Sequence, residues 1–96
     1  MSEAAEVRLR RLRMRSWRRG TKEMDLLLGP FADERLGSLD AEALDLYEAL
    51  LSEADGDLYG WIAGRVAPPG RYTPLIGTIR DAADRRLRPG APTERP

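Results

Sequence analysis

Apolar residues recur along this chain at intervals of three and four and rarely alternate with polar ones, which is the spacing of a helix face and not of a strand. Ala5, Leu9, Leu12 and Ser16 form the first such stripe, in a helix expected over residues 4–18 and flanked by Val7, Met14 and Trp17. Gly20 supplies its stop. A second helix over residues 21–35 turns Met24, Leu27, Leu28 and Phe31 inward. Pro30 lies within it and offers no N–H to the Leu26 carbonyl, so with Gly29 beside it a kink or a split is expected. Asp40 is a good N-cap for a third helix, with Leu39 placed to pack on Leu44, and Leu44, Tyr47, Leu50 and Leu51 give its buried face. Asp55 is placed to cap a fourth, where Asp57 favours the positive end of the dipole and Leu58, Trp61, Ile62 and Val66 are apolar. Thr73-Pro74 reads as a cap with proline at the first helical position, opening a last helix in which Leu75, Ile76, Ile79, Ala83 and Leu87 share a face. The pattern predicts an all-α fold: a single small bundle of five helices over residues 4–88, with disordered tails at 1–3 and 89–96.

Composition removes whole reaction classes, because 96 residues contain neither histidine nor cysteine. No imidazole base, thiolate nucleophile, structural zinc site or disulfide is available, and the chain is not expected to be an enzyme. Acidic pairs such as Asp33-Glu34 and Asp55/Asp57 lack the spacing of a calcium loop and read as a solvated face, so no metal is expected. Pro68-Pro69-Gly70 lacks the spacing of a phosphate loop. No window approaches the ~18 apolar residues of a spanning helix, and residues 1–15 lack the apolar core of a secretory signal, so no membrane insertion and a cytoplasmic location are expected. Fifteen arginines against one lysine, Lys22, point to a GC-rich bacterial source.

A net charge of zero hides segregation along the chain. Residues 1–23 carry eight cations against three carboxylates, residues 24–63 one against ten, and residues 64–96 seven against three. Contacts between a basic first helix and an acidic middle are therefore expected within the fold. Seven of the arginines fall within residues 8–19, which raises the alternative of a nucleic-acid-binding or antitoxin-like regulator. No aromatic platform or recognition helix accompanies them, and the acidic middle would repel a polyanion. Trp17, Phe31, Tyr47, Tyr59 and Trp61 read as core, with Trp17 the most exposed.

The candidate site is the corner between the first two helices. Arg19-Gly20-Thr21-Lys22-Glu23 sets a guanidinium and a carboxylate on either side of a glycine that permits positive φ and close approach of another surface. Such a loop suits docking better than chemistry.

Taken in order, Arg18-Arg19-Gly20-x-x-Glu23-x-Asp25, then Pro30-Phe31, Ser38-Leu39 and Asp57-Leu58-Tyr59-x-Trp61-Ile62 resemble the succinate dehydrogenase flavin-assembly factor family over about residues 13–87. The resemblance implies a five-helix protein that acts like a chaperone. Its partner would be the flavoprotein subunit of succinate dehydrogenase, in some bacteria also of fumarate reductase, on which it promotes covalent attachment of FAD. Carried onto this chain, the partner-facing motif falls on Arg19, Gly20 and Glu23, with Arg18, Asp25 and Trp17 beside it. Met24 departs from a common leucine, and Ala54-Asp55-Gly56-Asp57 from a frequent acidic-proline helix start. The reading that follows is a monomer that holds no cofactor stably, acts on FAD held by its partner and binds no nucleic acid.

Overall fold

The structure is a computed structural model that describes residues 3–87, with side chains over 4–86. The expected tails lie outside the described residues except for Glu3, which opens the first helix, and the inward placement of the Leu87 side chain lies outside them too. Helix α1 spans Glu3–Trp17, α2 Lys22–Arg35, α3 Ala41–Leu51, α4 Asp55–Ile62 and α5 Thr73–Leu87. Single 3₁₀ turns at Leu36–Ser38 and Gly70–Tyr72 precede α3 and α5, and no strand occurs among the described residues. The expected all-α bundle of five helices is what forms.

Helices α1 and α2 make the most extensive pairing, α3 packs on α1, α5 packs on α2 and α3, and α4 packs on α5. Leu9, Leu12, Leu28, Phe31, Tyr47, Leu50, Leu58, Ile76 and Ile79 meet in one buried core, each contributing about 1.5–3 kcal/mol by removal of apolar surface from water. Leu36 and Tyr72, which no helical stripe marked, are buried there as well. Each sits in one of the 3₁₀ turns, outside any regular period. Ser16 is buried with them: its Oγ donates to the Leu12 carbonyl at 2.8 Å and shares a 2.7 Å hydrogen bond with the Tyr47 hydroxyl.

Four local expectations are corrected. Helix α2 runs unbroken through Pro30. The carbonyls around the missing N–H are reached from α5, where Arg86 Nη2 lies 3.5 Å from Leu26 O and 3.4 Å from Leu27 O. A donor from a neighbouring helix thus stands in for the absent main-chain bond. Ala54, not Asp55, occupies the N-cap of α4, because the Asp55 carboxylate is engaged elsewhere. Helix α4 ends at Ile62 and Gly64 turns the chain at φ +80°, which leaves Val66 outside the helix and exposed. Thr73 is the first residue of α5 with helical dihedrals, because the preceding 3₁₀ turn already supplies the helix entry.

Asp40 does cap α3, its Oδ1 accepting from the Ala43 N–H at 2.8 Å. Helix α1 also meets the acidic middle as charge segregation predicts. Arg8 donates to Asp45 and Glu48 at 2.7 Å, and Arg11 to Glu48 at 3.2 Å. The Arg8 guanidinium holds the Glu48 carboxyl below its usual range.

Candidate functional site

The corner between α1 and α2 is built by a few local bonds. Thr21, in extended conformation, caps α2 by accepting from the Met24 N–H at 3.3 Å. The Asp25 carboxylate, one turn in, accepts the Arg19 main-chain N–H at 2.8 Å and ties the loop back onto α2. Gly20 takes φ +108°, and a Cβ placed there would meet nothing within 4 Å. Glycine is required by the backbone conformation, and the space around it is open to an approaching surface.

Arg19 departs from the sequence expectation of a fork offered outward. Its side chain is only 11% exposed. Nε donates to Asp55 Oδ1 at 2.8 Å, Nη2 to the Glu53 carbonyl at 2.8 Å, and Nη1 to the Leu51 carbonyl. The two carbonyls lie at and just past the C-terminal end of α3, the negative end of its dipole, and the Asp55 carboxylate opens α4, so a planar, multiply donating cation is drawn there. Sequence spacing gives no view of this, because the partners lie more than thirty residues away.

The outward groups are others. Gly20, Thr21, Lys22 and Glu23 are exposed, and Glu23 makes no hydrogen bond or ion pair among the described residues. The Arg18 side chain is exposed beside them. Trp17 is 39% exposed, its Nε1 donates to Asp33 Oδ2 at 3.2 Å, and its ring lies so close to α2 that a Cβ on Gly29 would sit 2.3 Å from it. Asp25 is partly buried under the loop.

Next to Glu23 opens a groove of about 370 Å³ lined by Thr21, Glu23, Met24, Asp55, Gly56 and Tyr59. Through Arg19, the first turns of α2 and α4 are fixed as its two walls. Tyr59, expected in the core, stands at the surface with the Arg65 guanidinium 5.4 Å from its ring centre. Periodicity carried that signal: Leu58, Trp61 and Ile62 define the inner face of α4, and Tyr59 falls off it.

Among the described residues no group of three or more histidine, cysteine, aspartate or glutamate side chains is arranged to hold a metal ion, and no helix is long and apolar enough to cross a membrane. The arrangement can present, hydrogen-bond and pair charge.

A family model described as the flavinator of succinate dehydrogenase matches residues 10–83, which include the whole corner. The chain belongs to this succinate dehydrogenase flavinator family. It is similar to the FAD assembly factor SdhE of Acetobacter pasteurianus, 37% identical over 85 residues that cover 88% of this chain and 76% of that one. The mitochondrial succinate dehydrogenase assembly factor 2 of Mycosarcoma maydis is 39% identical over 77 residues, 80% of this chain and 32% of its own. That of Candida glabrata is 44% identical over 62 residues, 65% of this chain and 40% of its own. The chain therefore spans 32% and 40% of the length of these two mitochondrial relatives. No solved structure matches it. These flavinator relatives give no support to the nucleic-acid-binding alternative.

Proposed function

We propose that this flavinator-family chain is a non-catalytic assembly factor that binds the flavoprotein subunit of succinate dehydrogenase and promotes covalent attachment of FAD to it. The observation that carries the reading is a corner whose backbone is locked from within and whose Gly20 and Glu23 face outward, in a chain that belongs to this family. Having no histidine, the chain offers no histidyl acceptor for flavin, and having no glycine-rich phosphate cradle it does not hold FAD by itself. The covalent chemistry belongs to the partner. The corner favours a conformer in which the partner's acceptor histidine and the flavin methyl group are aligned, which is catalysis by orientation and population shift.

Within this reading Gly20 allows close approach and Glu23 accepts from partner donors. Trp17 and Arg18 extend the contact along α1. Arg19 and Asp25 act from behind by holding the loop. The protein works as a monomer in the bacterial cytoplasm, serves fumarate reductase where that enzyme carries covalent flavin, and leaves nucleic acids alone.

Co-expression with the flavoprotein subunit of succinate dehydrogenase tests it, with covalent flavin read as fluorescence after denaturing electrophoresis. Glu23→Ala and Gly20→Arg are expected to lower that signal at least tenfold while the circular dichroism of the factor stays helical. Full flavinylation by both folded variants would rule out the loop as the working surface.

A further inference from the structure

The arginines of residues 8–19 are not equivalent. Arg8, Arg11 and Arg15 face Glu48 at 2.7, 3.2 and 4.0 Å, and Arg19 braces the α3–α4 turn. Arg10 and Arg18 have no side-chain acceptor among the described residues. With Arg11, Arg15, Val7 and Met14 they line a groove of about 500 Å³ on the outer side of α1. Val7 is 46% and Met14 43% exposed, although both are apolar. Positions 7, 11 and 14 share one face of α1, opposite the buried stripe of Leu9, Leu12 and Ser16, and Arg18 follows just past the helix end. Helix α1 thus has two apolar stripes, and the outer one is edged by cations.

We propose that this outer face of α1 docks an acidic amphipathic segment of the flavoprotein partner, a stretch in which apolar side chains lie between aspartates and glutamates. The inference rests on the assembly-factor reading and enlarges its contact surface. Charge selects the occupant: Arg10 at the edge of the apolar floor and Arg18 at its end have no side-chain acceptor among the described residues and are complementary to carboxylates beside an apolar strip. From Val7 to the end of α1 at Trp17 the face runs about 15 Å, nearly three turns of a helix. The groove ends at Arg18 and Arg19, where the Gly20–Glu23 corner begins, so one partner can engage both without a gap. A second copy of this chain is a poorer match, since the acidic face of its α3 is already held by its own Arg8 and Arg11. Two apolar side chains are too little to seat the helix in a bilayer.

Binding of the FAD-loaded, not yet flavinylated flavoprotein subunit to the immobilised full chain tests the proposal. The variants are Arg10→Glu, Met14→Gln, their double and, as a separate control on the corner, Glu23→Ala. Neither Arg10 nor Met14 has a polar side-chain partner among the described residues, so melting temperatures are expected to stay unchanged. Arg10→Glu should slow association about tenfold at low ionic strength, with the deficit closing at high ionic strength. Met14→Gln should weaken affinity at every ionic strength. If the double variant binds like the parent while Glu23→Ala weakens binding, the groove proposal is overturned and the corner stands; if neither change matters, both readings fall. Capture of phosphatidylglycerol vesicles or duplex DNA that Arg10→Glu abolishes, with flavoprotein binding unaltered, would also overturn it in favour of those ligands.

Discussion

Among the described residues, three arginines donate to main-chain carbonyls at a helix end or break. Arg19 reaches the Leu51 and Glu53 carbonyls, Arg80 those of Trp61 and Ile62 at 2.7 and 3.0 Å, and Arg86 those beside Pro30. Each sets a planar fork against carbonyls at a helix end or break, a task for which an ammonium is too small. Arg19→Lys should therefore retain the charge near Asp55 and still cost about 2 kcal/mol, because one ammonium cannot span three acceptors. Urea unfolding checks this, and wild-type stability would show the fork to be dispensable. None of these partnerships was legible from spacing. The sequence marks a cation near a helix end, but which distant carbonyl it meets depends on how the bundle closes. Asp40 was legible because a cap acts within three residues of itself.

At the scale of the element, helices α1 and α2 depend on a place where one has no side chain. The Trp17 ring occupies the space a Cβ at Gly29 would need, with contacts at 2.3–2.6 Å. Glycine to alanine inside a helix ordinarily stabilises by about 0.5–1 kcal/mol. Gly77→Ala in α5, where nothing lies within 4 Å, should do so, whereas Gly29→Ala should destabilise by about 1–3 kcal/mol and shift Trp17 fluorescence. Adding Trp17→Leu to Gly29→Ala should restore most of the loss, and thermal melts of the four proteins give the answer. The sequence presents Gly29 as the companion of Pro30 in a helix break. Its role in packing appears only once α1 lies across α2, which also explains why the all-α fold was readable and the course of α2 was not.

Helix α1 is joined to α3 by a buried polar contact with a pH signature. Burial pushes the Tyr47 phenol up to about 12, with the Ser16 hydrogen bond and the charges of Arg19 and Arg15 opposing in part. The folded value lies above the unfolded one of about 10, so the neutral phenol's contribution is fully present below about pH 10 and lost as pH rises towards 12. Melting temperature should fall over that window. Tyr47→Phe should flatten the fall while costing about 1 kcal/mol at neutral pH through the lost Ser16 partner. An equally steep alkaline decline in Tyr47→Phe would place the titrating group elsewhere.

For the molecule as a whole, an assembly factor has to prefer the unfinished partner over the finished one, since a ligand that binds two states equally shifts neither. A permanent subunit would show no such preference. The fold suits the first case: its corner is rigid, being held by Asp25 and the Arg19 brace, so little ordering cost arises on docking and release is not opposed by refolding. The corner proposed to dock the partner is also polar around Gly20 and Glu23, unlike the broad apolar patch of an obligate subunit. Affinity for the FAD-loaded but non-covalent flavoprotein subunit should exceed that for the covalently flavinylated form by about tenfold or more, a differential of about 1.4 kcal/mol. Titration calorimetry with the two partner forms measures this directly. Equal affinities would turn the corner into a structural contact and remove the basis for population shift, even if Glu23→Ala still impaired binding.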